Sequence, residues 1–357
     1  MLLYLFVILL STLGVYITRK KNLLIAILIG VLPISLFAGL RDDTVGTDIG
    51  VYLIRLWDSC QYSDFSDVLY YNEMIEIGYA VFVYLISQFT TDIHWLFFIE
   101  HFLLLSILIY TIRKYSVPYS VLLYCLFLFF TFNASLCLMR QFFAIIAVVI
   151  AFLFLLKGQI NKFVVAIILG GLFHNSTLFL LSILPILHLL RRFPNKGLII
   201  QIGIAVLGVI FYMFFPVIIS FLISNGLLNE KYTRYLAQEF STHKIDYVLS
   251  LAIYGISLMG IPQESNTKVL LKVLSIITVV LTLCGVYNDV ASRVAMYIYI
   301  YSFIVVFVFV NELFGYKKKI VLFLLSTTIV VRFIYISIIS DYSETIPYTS
   351  KILGIEQ

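Results

Sequence analysis

Charge is scarce in this chain. Asp, Glu, Lys and Arg make up 12% of its 357 residues, while 62% are apolar and the mean hydropathy is +1.06. No soluble core needs so many apolar residues, so an ordinary water-soluble domain is excluded and an integral membrane protein is expected. Cysteine is scarce too. Cys60, Cys125, Cys137 and Cys284 are scattered, without a CxxC pair or a Cys/His cluster. That pattern indicates neither a disulfide framework nor a metal site. Pro/Ser-rich linkers and low-complexity tracts are missing, so 1–357 reads as a single membrane domain. No internal repeat stands out, which argues against repeat-built secondary transporters. Walker, GxGxxG and GxSxG motifs are missing. So is a DxD pair, Asp42 and Asp43 being adjacent. No metal, cofactor or nucleic-acid partner is expected.

What the chain does have is long apolar runs. A membrane helix needs roughly 17–25 such residues. Runs of that kind are 1–18, 23–40, 93–112, 117–136, 140–156, 198–222, 247–262, 268–287, 293–313 and 319–340. Residues 77–91 are short for a span, and 163–190 is long for one and short for two. The expected fold is an all-α polytopic membrane protein, GT-C-like, with about 10–13 transmembrane or re-entrant helices. In the first segment the positive charge follows the apolar run, the reverse of a signal peptide. It reads as a retained span with its N-terminus outside.

Lys and Arg orient the spans. Arg19–Lys21, Arg113/Lys114, Lys157/Lys162, Arg191/Arg192/Lys196, Lys268/Lys272 and Lys317–Lys319 hold 15 of the 24 basic residues, and read as cytoplasmic. Segment 41–76 has eight acidic residues and two basic ones, and reads as outside. So do the loops 225–246 and 287–292 and the tail 341–357. An odd number of crossings must separate Glu76 from Arg113, yet two apolar runs lie between. The expectation is that 77–91 is re-entrant or lies along the outer interface.

Four arginines sit at or inside the ends of apolar runs: Arg41, Arg140, Arg293 and Arg332. An ionisable group there is expensive and usually marks a site. A guanidinium keeps its charge and offers a planar fork that suits phosphates. On the charge map Arg41, Arg140 and Arg293 fall at outer span ends. Arg332 lies inside the last span, nearer its outer end, where it needs a carboxylate, a carbonyl cluster or a phosphate. His174 shares that depth, so helix packing can gather these residues around one outward-facing cavity.

Each constellation has two readings. GLRDDTVGTDIGVY (39–52) presents Arg41, Asp42, Asp43 and Asp48, with Gly46 and Gly50 allowing tight turns. It is either a catalytic loop or a solvated one with a snorkelling arginine. EIGY (76–79) adds Glu76 and Tyr79. In MRQFFA (139–144), Arg140 and Gln141 open a span. A cation at a helix N-terminus opposes the macrodipole, whereas an anion held there meets both arginine and free N–H groups. Otherwise Arg140 is an interfacial anchor. In GLFHNS (171–176), His174 is either a base for an acceptor hydroxyl or a structural histidine. In NDVASRVAMYIYIY (288–301), Asp289 and Arg293 are four apart on one helix edge, so Asp289 either neutralises Arg293 or shares a site with it. Glu100 and His101, mid-span in FIEHF, are a further polar pair that could partner one of these arginines.

The order of GLRDDTVGTDIGVY, EIGY, MRQFFA, GLFHNS, SRVAMYIY (292–299) and IPY (346–348) resembles the EpsG family of bacterial exopolysaccharide proteins, which belongs with Wzy-type polymerases. The resemblance implies a metal-independent glycosyltransferase of the bacterial cytoplasmic membrane, with its active site facing outside. Its substrate is implied to be an undecaprenyl-diphosphate-linked oligosaccharide, polymerised into O-antigen, capsule or exopolysaccharide, with membrane lipid and a chain-length regulator protein as further partners. The residue chemistry agrees. Arg140, Arg293 and Arg332 are candidate diphosphate ligands. His174, Asp48 and Glu76 are candidate bases, Arg41 joins them in the catalytic set, and Gln141, Tyr52, Tyr79 and Asp289 are candidate substrate contacts. An O-antigen ligase or a lipid-phosphate-sugar glycosyltransferase would want the same groups. A flippase for lipid-linked sugars would place its arginines at depths reachable from both sides. An acyltransferase would want a carboxylate beside His174.

Overall fold

The computed structural model describes residues 1–115, 119–193, 196–227, 233, 244–258, 266–285, 293–299, 310, 313, 315–339 and 344–356. The protein is an all-α polytopic membrane protein. Among the described residues there is no β-strand, only a bridge between Ser350 and Ile355. The chain divides into two compact units, Met1–Leu178 with Ser326–Gln357, and Phe179–Leu325.

The first unit opens with α1 (Leu2–Ile17). Then come α2 (Leu23–Ala26), a π turn (Ile27–Val31) and α3 (Leu32–Gly39). Asn22 caps α2 by accepting the Ile25 N–H at 2.9 Å. A π turn (Ile49–Leu53) leads into α4 (Ile54–Tyr62), α5 (Phe65–Tyr71) and α6 (Ile77–Ser87). The packed helices α7 (His94–Lys114), α8 (Ser120–Cys137), α9 (Met139–Leu156) and α10 (Ile160–Gly171) follow.

Contacts sort these helix ends onto two ends of the unit. At the first, Arg113 in the last turn of α7 donates to the carbonyls of Thr18 (3.0 Å) and Lys21 (3.3 Å). These are carbonyls that a cation is suited to satisfy. Lys157, just past α9, lies 5.5 Å over the Tyr115 ring. Three basic groups therefore share one end. At the other, Gly39 abuts Phe98 near the start of α7, Arg41 reaches the Leu136 carbonyl, and the Gly78 N–H donates to Leu172 O at 2.8 Å.

Helix α6 resolves the crossing problem. Its 11 residues rise only about 16 Å, half of what a bilayer core requires. Both its ends stay at the second end: Gly78 on Leu172, and Ser87 and Thr90 on Gln61, whose Nε2 donates to their carbonyls at 3.3 and 2.9 Å. It caps the bundle rather than crossing it.

The C-terminal tail returns to this same end. Asp42 N–H donates to Thr349 O (3.0 Å), Gly46 N–H to Glu344 O (3.1 Å), and Lys351 N–H to Asp42 Oδ1 (2.9 Å). Tyr348 stacks on Phe37 with centroids 4.0 Å apart and donates to the Phe37 carbonyl. The Thr345 hydroxyl bonds the Asn133 side chain. The tail and the 41–76 segment, expected on one side of the membrane, are thus in contact.

The run 163–190 is broken into α10, a 3-10 turn (Asn175–Ser182) and α11 (Ile183–Arg192). The second unit also holds α12 (Gly197–Ser224), α13 (Lys244–Leu258) and α14 (Asn266–Gly285). Ser250 Oγ and Thr282 Oγ1, 2.7 Å apart, join the last two. Helix α15 (Gly315–Ile334) runs into the first unit. Among the described residues four helices are long and apolar enough to cross a membrane: His94–Lys114, Ser120–Cys137, Met139–Leu156 and Gly315–Ser337. Gly197–Phe211 with Pro216–Ser224 makes a fifth if that pair, bent by 64°, is one span; Pro216 accounts for a bend there. The loop 287–292 and most of 225–246 lie outside the described residues.

Candidate active site

At the second end of the first unit, four of the sequence motifs meet around Arg140. Helix α9 starts at Met139, so Arg140 stands in its first turn. Its Nη1 donates to Glu76 Oε2 at 2.6 Å, and its guanidinium lies 4.3 Å over the Tyr52 ring. The carboxylate supplies the anion that a cation at a helix N-terminus requires. Glu76 is placed by α6, which begins one residue later, and its Oε1 accepts the Asn175 N–H at 3.3 Å. The Arg140 and Glu76 side chains keep 20% and 10% of their surface, so the pair is sheltered but reachable. Burial holds the Tyr52 hydroxyl well above the ordinary phenol range, with the Arg140 charge opposing, so Tyr52 stays neutral.

His174 is anchored from both sides. Phe173 stacks on Phe143 of α9 with centroids 4.4 Å apart and ring planes within 4°. On the other side Ser176 Oγ is 2.7 Å from His174 Nδ1. The imidazole is therefore oriented two residues from Ser176 and one from the Asn175–Glu76 contact. Asp48 precedes the π turn that carries Tyr52 and interacts with it electrostatically. Gly46, at φ +110°, turns the chain just before; Gly50 lies within the π turn.

Arg41 is placed differently from the expectation of an accessible catalytic group. It is fully buried, donating to the carbonyls of Ala38 (2.5 Å) and Leu136 (3.1 Å), with Phe97 at 4.0 Å beneath its plane. Burial lowers its pKa to about 10, which leaves it charged at neutral pH. It ties the end of α3 to the end of α8, and Asp42 of the same loop is engaged by the tail. Gln141 (1% exposed) and Tyr79 (0%) also lie inside the packed helices rather than on an open surface. For Gln141 the physical reason is register, since residues adjacent in a helix point about 100° apart; Tyr79 is instead covered by the helices against which α6 packs.

Arg332 obtains one of the partners its position demands. Its Nη1 donates to Phe130 O at 3.3 Å and its guanidinium lies 3.8 Å over that residue's ring. Arg293 opens the helical stretch 293–299 of the second unit, and Asp289 lies outside the described residues. Among the described residues no group of three His, Cys, Asp or Glu side chains is placed to share a metal ion.

Sequence reading missed three parts of this site. The Asn175 amide on Glu76 is a backbone contact, invisible in residue type. The Phe143–Phe173 stack was one pair among 31 phenylalanines. The tail's role was hidden in the short IPY match, although Tyr348 within it was the available signal.

The model of the EpsG family matches residues 22–350. No curated protein and no solved structure matches the chain at a significant level.

Proposed function

The chain belongs to the EpsG family, and from that premise we propose a polysaccharide polymerase acting on undecaprenyl-diphosphate-linked repeat units at the outer face of the bacterial cytoplasmic membrane. The observation that carries this reading is the Arg140–Glu76–Tyr52 cluster beside His174. A polymerase of this kind needs a fixed cation for a departing diphosphate and a base for an incoming hydroxyl.

In the proposed reaction the acceptor hydroxyl oxygen attacks the anomeric carbon of the growing chain. The bond from that carbon to the lipid diphosphate breaks, and its electron pair leaves with the diphosphate. Arg140 receives the developing charge through donors not used on Glu76, in a sheltered site where such contacts are strong. Glu76 and Tyr52 hold the guanidinium in place. The hydroxyl proton passes to His174 Nε2, which requires Nδ1–H to donate to Ser176 Oγ. Asp48 stands near Tyr52 as a group for acceptor hydroxyls. Arg41, Gln141 and Tyr79 support this arrangement from behind. Arg332 and Arg293 with Asp289 remain proposals for the second phosphate.

The test is the glycan profile of a strain lacking the gene. Polymerase loss leaves surface glycan with a single repeat unit, restored to long chains by the wild-type gene. Absence of any surface unit would instead favour a flippase and overturn the proposal.

A further inference from the structure

Behind the candidate site lies a polar group of residues the proposed reaction does not use. Glu100 is in the middle of α7 and is 0% exposed. Neither of its carboxylate oxygens has a hydrogen-bond partner. The same holds for two other fully buried atoms, the Tyr79 hydroxyl on α6 and Arg41 Nε at the end of α3. Unpaired buried polar atoms are costly, and a buried carboxylate most of all. These atoms belong together. Glu100 interacts electrostatically with Arg41, and the Tyr79 hydroxyl lies near enough to act on it as a hydrogen-bond donor. The Tyr79 contact falls short of good hydrogen-bond geometry, and Arg41 does not reach ion-pairing distance. His101, the other half of the pair, is accounted for by the Phe97 carbonyl (2.9 Å) and Ser135 Oγ (3.1 Å).

Buried donors and acceptors left without a well-formed bond in one neighbourhood are what an internal water serves, since such a water makes about three hydrogen bonds. Arg41 Nε–H is a donor, the Glu100 oxygens are acceptors, and the Tyr79 hydroxyl is both. The remaining walls, such as Phe97 beneath Arg41, are apolar and would confine the water.

We propose that Arg41, Tyr79 and Glu100 bind ordered water, and that Glu100 is a positioning residue which, through this hydrated link, holds Tyr79 against the Arg140 site. Tyr79 is the connecting piece. Its hydroxyl interacts electrostatically with Glu100 and Arg41 and also with Tyr52 and Arg140. The link thus runs from the loop anchored by Arg41 to the ring beneath the Arg140 guanidinium. The water site stands apart from the polymerase reading; the positioning role rests on it.

Hydroxyl-radical footprinting of the purified full-length protein in lipid nanodiscs tests the site, because radicals form from the ordered waters themselves. Tyr79 should be oxidised although it has no exposed surface. Tyr124 is the control, equally buried but bonded to Ser11 Oγ at 2.9 Å. Glu100→Leu, which fills the space with apolar atoms, should reduce Tyr79 oxidation to the level of Tyr124. Glu100→Gln, which keeps hydrogen-bonding capacity, should leave it unchanged. An unmodified Tyr79 in the wild-type protein would mean that the three groups close onto one another directly, and would overturn the proposal without variants. The positioning role is read separately, in a polymer assay with varied lipid-linked donor. Tyr79→Phe should lower kcat while leaving KM near wild type. Unaltered kcat in Tyr79→Phe would overturn that role. Failure of the polymerase reading would show instead as no polymer from any form, with Tyr79 still oxidised.

Discussion

Arg140 Nη1 lies 2.6 Å from Glu76 Oε2, across 64 residues of sequence. The two ends of this contact are set by different helices. Arg140 is carried by the first turn of α9 and Glu76 by the entry to α6, whose Gly78 is fastened to Leu172. The arginine is thus partly neutralised before any substrate arrives. A diphosphate must engage its remaining donors, with the planar fork already oriented.

Lysine cannot reproduce that arrangement, because one ammonium cannot serve Glu76 and a diphosphate with the same geometry. Arg140→Lys and Arg140→Ala should both fail to restore long polymer to a deletion strain at normal membrane levels, and lipid-linked single repeats should accumulate. Wild-type chain lengths with Arg140→Lys would reduce Arg140 to an interfacial anchor paired with Glu76.

His174→Ala should cut polymer at least about tenfold, a general base contributing about a hundredfold or more. Ser176→Ala, which removes the contact to Nδ1, should have the same sign and a smaller size. Near-normal polymer from His174→Ala at equal protein level would move the base to Asp48.

The membrane class and the positions of the polar motifs were legible because charges stand out in a chain with 12% of them. Arg140, Glu76 and His174 could be picked out one by one for that reason. Shared depth allowed a gathering of Arg140 with His174, but the contacts that achieve it were not legible, since they depend on how α6, α9 and the 172–176 turn dock, which no local pattern encodes. Arg41 illustrates the converse. Its place at a span end looked the same as that of Arg140, but Arg41 turns inward to the Ala38 and Leu136 carbonyls while Arg140 stays partly open. Burial direction is a tertiary property. The brevity of α6 was visible as a short apolar run, and its return to the same end follows from the Gln61 contacts rather than from its composition.

The tail should matter for stability. Tyr348 is 4% exposed, stacked on Phe37 and bonded to the Phe37 carbonyl. Tyr348→Ala should destabilise the protein by about 3 kcal/mol, as large aromatic truncations do, and Tyr348→Phe by about 1 kcal/mol for the hydrogen bond. Denaturant unfolding of the detergent-solubilised protein measures both. Equal stability of Tyr348→Ala and wild type would show that the tail does not clamp the loop.

Gly78 approaches Leu172 so closely that a Cβ on it would lie 2.7 Å from the Leu172 carbonyl oxygen. Backbone cannot give way as a flexible side chain can. Gly78→Ala should therefore separate α6 from the 172–176 turn and loosen Glu76 from Asn175. Polymer should fall about tenfold, which corresponds to about 1.4 kcal/mol of lost positioning. Unchanged polymer would show that this docking is dispensable for the site.

The last prediction concerns which end of the first unit faces outside. The tail and the 41–76 segment are joined by Asp42 with Lys351 and Thr349, so they must lie on one side together. Lys21 and Arg113 mark the opposite end, and clustered basic residues stay in the cytoplasm. Ser66 and Lys351 are exposed at the second end and Lys20 at the first, which makes them good sites for single cysteines. Ser66→Cys and Lys351→Cys should react with an impermeant thiol reagent in intact cells, or in spheroplasts where an outer membrane intervenes. Lys20→Cys should react only after lysis. The reverse pattern would put the Arg140 site in the cytoplasm and sink the outer-face polymerase reading, while labelling of only one of Ser66→Cys and Lys351→Cys would contradict the fold of the tail itself.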